Sequence, residues 1–154
     1  MKYMDMVVSE TLRKWPNALA VDRVCTKPYT IEPTMPGEKP VHLEKGAVLF
    51  LPIFAVHRDP KNFPDPERFD PERFSDENKH NIKPYTYYPF GVGPRNCIGS
   101  RFALLETKAV FFHLLLHFQF VPVKKTMIPL QMSKKSFSVT FDGGLWIGFK
   151  RIKE

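Results

Sequence analysis

Apolar positions at the start of the chain recur at helical spacing. Met4, Val7, Val8 and Leu12 share one side of a helix predicted over Tyr3 to Lys14, and Trp15-Pro16 ends it, because a proline ring clashes with a continuing turn. Ala20 to Cys25 and Tyr29 to Ile31 then read as short strands. Val41 to Glu44 and Val48 to Ile53 are predicted to pair as a hairpin across Lys45-Gly46, giving a small antiparallel sheet. From His57 to Asn96 proline and glycine recur too often for any long element, so turns with brief helical pieces are expected. A long helix opens at Ile98 or Gly99 and stops before Pro122. Phe102, Leu105, Ala109, Phe112, Leu116 and Phe120 form its apolar face, and Leu104, Phe111, Leu114 and Leu115 widen it. A helix apolar over most of its girth belongs inside a larger protein. Near the end, 137–141 and 145–149 flank Asp142-Gly143-Gly144 and read as a β-hairpin. The predicted layout is a helix over 1–16, a small sheet over 20–56, an irregular segment with its loop over 57–98, a buried helix over 99–120 and a hairpin over 136–150. There is no internal repeat.

Composition changes this picture in one respect. The length of 154 residues and 43% hydrophobic content suit one domain, but 15 prolines are about twice the usual share. Most of them fall between Pro28 and Pro94, with turn pairs at Pro36-Gly37, Asp59-Pro60, Asp65-Pro66 and Asp70-Pro71. So long an irregular stretch is rare unless it carries function or packs on something else, and it is expected to pack on something absent. The net charge of +7 favours an acidic partner, an anionic cofactor or an anionic surface. The charges are scattered, which equally suits a solvated lysine-rich surface, and no nucleic-acid-binding motif accompanies them. Cys25 and Cys97 form no Cys-x-x-Cys pair and follow no signal peptide, so neither a zinc ribbon nor a disulfide framework is indicated, and a reducing compartment fits. The longest apolar run, Ala109 to Phe120, is broken by His113, His117 and Gln119 and is shorter than the ~20 residues that span a bilayer.

Candidate chemistry concentrates in Phe90-Gly91-Val92-Gly93-Pro94-Arg95-Asn96-Cys97-Ile98-Gly99, directly ahead of the long helix. Glycine permits positive φ and close approach, so this loop can lie against a planar cofactor. Cys97 falls at the helix N-terminus, where free N–H groups and the positive dipole end favour thiolate over thiol. Taken alone, a free cysteine is ordinarily a small buried hydrophobe. A cysteinate on haem iron, by contrast, pushes electron density onto the metal and favours O–O cleavage. Arg95 is placed to meet a haem propionate through charge-assisted hydrogen bonds. His113 and His117 have the i, i+4 spacing of a metal pair but lack further ligands and an intervening Glu, so they read as core or boundary histidines. No Gly-x-Ser-x-Gly elbow or phosphate-binding loop competes.

Phe90, Gly93, Arg95, Cys97 and Gly99 fill every position of Phe-x-x-Gly-x-Arg-x-Cys-x-Gly, and the chain thereby resembles the cytochrome P450 family, in texture an insect microsomal member. Glu10-x-x-Arg13 resembles the family's helix motif, and Asp70-Pro71-Glu72-Arg73-Phe74 its Pro-Glu-Arg-Phe segment. The resemblance implies a buried Glu10, Arg13 and Arg73 cluster with a structural role. Arg73 is preferred to Arg68, which sits in an earlier copy of the same letters at 66–69, because the family's preceding aromatic stands before Arg73 at the right distance. It further implies that Arg23 meets a haem propionate, that Cys97 is the axial iron ligand, and that Phe90, Gly91, Gly93 and Gly99 shape the haem-binding loop. His57-Arg58-Asp59-Pro60 resembles a family segment used for packing and turns, so His57 receives no catalytic role. Asn17 stands after Pro16 where many relatives carry a second proline.

The implied fold is mainly α with a small β region, the C-terminal portion of the P450 fold, without the distal helix and N-terminal half. The implied activity is haem-dependent insertion of one oxygen atom from O2 into an apolar small molecule, with electrons from NADPH through NADPH-cytochrome P450 reductase and cytochrome b5 as a second candidate donor. The location implied is the cytosolic face of the endoplasmic reticulum membrane, through an N-terminal anchor this chain lacks. Two alternatives stay open: a catalytically silent fragment or interaction module, and a P450-fold isomerase or dehydratase. Residues 17–21 and 136–137 are placed near the substrate pocket by resemblance only, and the substrate is not legible.

Overall fold

A computed structural model describes residues 1–136 and 138–152. Its elements are mainly helical, with a small β content. They fall into two compact units, one built from Met1–Leu19 with the described residues from Ile53 onward, the other from Ala20–Pro52.

In the first unit, α1 (Lys2–Lys14) ends as expected before Pro16, with the Trp15 amide donating to the Thr11 carbonyl at 2.7 Å. The face of α1 turned inward carries charge, since Val8, Glu10 and Arg13 are its buried residues. Around them lie Ile53 from α2 (Ile53–Val56), with His57, Phe63, Ser75 and Tyr88. This core contains nearly as many polar as apolar side chains, so its order depends on each polar group finding a partner. The stretch 57–96 is turns, as proline spacing predicts, with 3₁₀ turns at Pro71–Phe74 and Lys79–Asn81. The Asp70 side chain accepts from the Glu72 amide and caps the first of these.

The long helix α3 runs Ser100–His117, shorter than the expected 99–120. Phe118 turns extended and begins β5 (Phe118–Pro122), which pairs antiparallel with β6 (Ile147–Arg151). This corrects the hairpin expected over 136–150. The partner of 147–151 is 118–122, where Phe149 packs edge-on against Phe118 and Phe120 at 5.9 and 5.2 Å. Asp142-Gly143-Gly144 does turn, but Phe141 and Ser138 form isolated bridges to Met132 and Ala18 instead. Phe137, expected in that hairpin, lies outside the described residues.

The burial expected of α3 within a larger protein is not met by this chain alone. None of its residues is buried, and Phe102 and Leu105 are 67% and 66% exposed, because this chain supplies too few elements to surround an all-round apolar helix.

The second unit holds two ladders, β1 (Val21–Val24) with β4 (Val48–Leu51) and β2 (Tyr29–Ile31) with β3 (Val41–Leu43). The hairpin expected between β3 and β4 does not form, although the chain turns at Gly46 with φ +92°. The Ala47 amide does close the turn onto the Glu44 carbonyl at 3.1 Å, but the Ala47 carbonyl accepts from the Cys25 amide at 2.8 Å and the Gly46 amide donates to the Cys25 carbonyl at 2.7 Å, so the chain beyond the turn runs along the β1 side. β4 is thereby carried onto β1.

Candidate functional site

The loop from Phe90 to Gly99 is held by its own backbone. The Gly91 amide donates to the Tyr88 carbonyl at 2.9 Å, Asn96 to Gly93 at 3.1 Å and Cys97 to Phe90 at 2.8 Å. Two of these turns require φ of +77° at Gly91 and +80° at Gly93, a region that L side chains with a Cβ rarely occupy. A Cβ placed on Gly93 would meet nothing within 4 Å, so that face of the loop is open. Cys97 is exposed and Ile98 beside it is fully so, while Gly99, the N-cap of α3, would bring a Cβ within 4.0 Å of Cys97 Sγ. Arg95 is exposed on the same loop. Phe90 is half-buried at its start.

Behind the loop, Glu10 and Arg13 are fully buried and face one another in a two-pronged pair, with Arg13 Nε donating to Oε2 at 2.7 Å and Nη2 to Oε1 at 2.8 Å. Their three-residue spacing on α1 makes this possible. Arg13 also donates to the carbonyls of His57 at 2.9 Å and Pro66 at 2.8 Å, and the Asp70 amide donates to Glu10 Oε1 at 2.9 Å. Arg73 joins with Nε 3.8 Å from Glu10 Oε1, its Nη2 donating to the Asp65 carbonyl at 3.0 Å. Arg68 reaches only Asp70, at 3.9 Å, with its side chain 71% exposed, against 14% for Arg73. Of the two Pro-Glu-Arg-Phe copies, the geometry thus joins the second to Glu10.

Arg23 sits on β1 in the other unit, where its Nη1 donates to the Asp22 carbonyl at 2.6 Å. Ala18, in one of the segments singled out for the substrate pocket, bridges Ser138, which lies just beyond the other.

Sequence reasoning assigned His57 to packing, which its burial fits, and missed the hydrogen bond it accepts. It is fully buried, and its Nε2 accepts the Tyr88 amide at 2.9 Å. Tyr87 stacks on its ring at 5.3 Å, and Tyr88 meets it edge-on at 5.4 Å. Burial drives its pKa down from 6.5 to about 4. The Arg13 charge pushes the same way, and the backbone carbonyls of Arg13 and Leu12 oppose it. Burial also raises the Tyr87 hydroxyl, which donates to the Ser9 carbonyl at 3.1 Å. The only signal in sequence was the aromatic run Tyr85 to Phe90 ahead of the glycines.

The donor set decides what kind of metal group suits Cys97. Among the described residues no cluster of three His, Cys, Asp or Glu side chains could hold a bare ion, and His113 and His117 gain no third partner. One soft thiol on an open loop fits a metal that brings its other ligands with it, as an iron macrocycle does. The structure thus presents one exposed cysteine on a glycine-shaped loop, with a buried ion cluster behind it. The chain belongs to the cytochrome P450 family, whose sequence profile, described as cytochrome P450, matches residues 1–146.

It is 56% identical to cytochrome P450 9e2 of Blattella germanica over 97% of this chain and 27% of that protein. It is 56% identical to probable cytochrome P450 9f2 of Drosophila melanogaster, over 96% of the chain and 28% of that protein. Cytochrome P450 3A9 of Rattus norvegicus is 50% identical over 88% of the chain and 25% of its own length. The chain therefore spans about a quarter of the length of these relatives.

Proposed function

We propose that this chain supplies the thiolate side of a haem monooxygenase, with Cys97 as the axial ligand. The observation that carries the reading is a lone exposed thiol on a loop with two positive-φ glycines, its amide fixed to Phe90 at 2.8 Å. Haem, when bound, would supply O2 activation, with the thiolate donating electron density to the iron. The chain's own contribution is positional. Gly91 and Gly93 keep the backbone low where the macrocycle would lie, Gly99 opens α3 directly after the ligand, and Phe90 anchors the loop. Arg95 and Arg23 would meet the propionates. Glu10, Arg13 and Arg73 hold the segment behind the loop and take no part in the chemistry.

In a complete protein containing this sequence, the reaction is oxygen insertion into an apolar small molecule, with electrons from NADPH delivered by a reductase or cytochrome b5. The surplus of basic side chains suits an acidic electron donor. Residence on the endoplasmic reticulum membrane would depend on sequence outside this chain, since no described helix is long and apolar enough to cross a membrane. For the chain alone a second reading has its own support: the exposed face of α3 and the quarter-length coverage suit a catalytically silent piece.

The test is the reduced, carbon-monoxide-bound spectrum of the complete protein. Cys97→Ser should abolish the long-wavelength thiolate band and Cys25→Ser should keep it. Survival of the band without the Cys97 sulfur overturns the assignment.

A further inference from the structure

A continuous path of hydrogen bonds runs from the buried ion pair to the candidate ligand. Arg13, locked to Glu10, donates to the His57 carbonyl at 2.9 Å. The His57 ring accepts the Tyr88 amide at 2.9 Å. The Tyr88 carbonyl accepts from Gly91 at 2.9 Å, and the Phe90 carbonyl accepts from Cys97 at 2.8 Å. One side chain joins the two halves of this path, and it is His57.

Its chemistry is constrained. Because Nε2 accepts from a backbone N–H it carries no proton, so a neutral ring must hold its proton on Nδ1. Nδ1 makes no hydrogen bond of normal geometry among the described residues. The ring is wedged by Tyr87 stacked on it and by Tyr88 and Phe63 edge-on. A histidine used only to fill space would have no need to spend its acceptor on the amide that starts the loop, and an apolar ring of similar size would leave that buried N–H unpaired.

We propose that His57 is a positioning residue for the Cys97 loop: its unprotonated Nε2 fixes the Tyr88 amide and so ties the ligand-bearing turn to the Glu10–Arg13 pair. The proposal rests on Cys97 being the iron ligand only for its functional meaning, since the coupling itself belongs to the protein without any bound group.

The experiment is nuclear magnetic resonance on the chain. In the unaltered protein the His57 ring should show a protonated Nδ1 and an acceptor Nε2 with a through-hydrogen-bond coupling to the Tyr88 amide. The opposite tautomer, or a doubly protonated ring at neutral pH, overturns the proposal without any variant. Amide exchange then tests the coupling. His57→Phe should speed exchange at Tyr88, Gly91 and Cys97 by about tenfold relative to the β5 and β6 amides. His57→Gln, whose amide oxygen reaches the Nε2 position, should stay within about threefold of the unaltered chain, while the shorter His57→Asn should behave like Phe. A uniform rise across all amides, or no rescue by Gln, would show a residue that only fills space. If the Phe variant fails to fold, the ring spectrum and the Gln and Asn pair still decide. Failure of the iron assignment would appear as a surviving thiolate band in Cys97→Ser, a result independent of these rates.

Discussion

Acid should unfold this chain through His57 before it titrates the carboxylates held lowest. The folded ring has its pKa pushed down to about 4 by burial, against 6.5 in the unfolded chain. Between those values the unfolded state binds the proton and the folded state does not, so stability falls as pH falls through that window and is fully present above 6.5. At about 1.4 kcal/mol per pH unit the gap amounts to about 3 kcal/mol, a large part of the stability of a small domain. The ring is fully buried, so solvent screening removes little of it. Asp76, held at about 2 by Lys2 and Lys79, titrates below the window and does not obscure it. Urea unfolding followed by Trp15 fluorescence in a Trp146→Phe background, with the Trp15 ring stacked on Phe69 at 6.0 Å, reports the region directly. The unaltered chain should lose about 3 kcal/mol from neutral pH down to the folded pKa, and His57→Gln, with nothing to titrate there, should lose far less. Equal losses in the two proteins would refute the assignment of the acid sensitivity to this ring.

Other perturbations separate the remaining features. Glu10→Gln leaves the fully buried Arg13 without its counter-charge and should cost about 3 to 5 kcal/mol in denaturant unfolding, whereas Arg68→Ala, on an exposed side chain, should change stability by less than about 1 kcal/mol. Arg73→Ala should resemble the former in direction, which distinguishes the two Pro-Glu-Arg-Phe copies in one assay. Gly148→Ala would place a Cβ 2.7 Å from Val123 Cγ1 and 3.3 Å from the Val121 carbonyl, and should cost about 1 to 3 kcal/mol with loss of amide protection confined to β5 and β6. The 154-residue chain expressed alone should bind haem at low occupancy and self-associate, and Leu105→Lys with Leu116→Lys should reduce association in sedimentation, since both side chains are more than half exposed on α3.

Element positions were legible wherever a local rule set them. Proline at 16 ended α1, the proline-rich stretch gave turns, and helical spacing located α3. Strand partners were not legible, because pairing depends on contacts between distant residues. β4 follows β1 because Cys25 bonds the Gly46 amide and the Ala47 carbonyl just ahead of it, and β6 went to β5 through three phenylalanines that no local pattern links. The same holds at the candidate site. The cysteine loop is one contiguous stretch and could be read directly, while the joining of Glu10 to Arg73 rather than Arg68 depends on which copy reaches the inside of α1. His57 escaped because its acceptor role exists only once Tyr88, 31 residues later, is folded against it.

The distribution of order follows from that arrangement. A cluster of charges at the centre of the first unit is a poor source of net stability, since desolvating an ion pair offsets most of its attraction. Its geometry is nonetheless narrowly defined, because every Arg13 nitrogen has a fixed acceptor and any shift strands a buried charge. The exposed side of the cysteine loop has no such constraint, with Ile98 fully in solvent. The chain therefore holds its candidate ligand rigidly from behind and leaves its face open, which suits a site completed by a planar group and the walls around it. Removing the rear support should consequently loosen Tyr88, Gly91 and Cys97 together while leaving the turn that Asn96 closes onto Gly93, and the contrast between the Gly91 and Asn96 amides is where that separation becomes measurable.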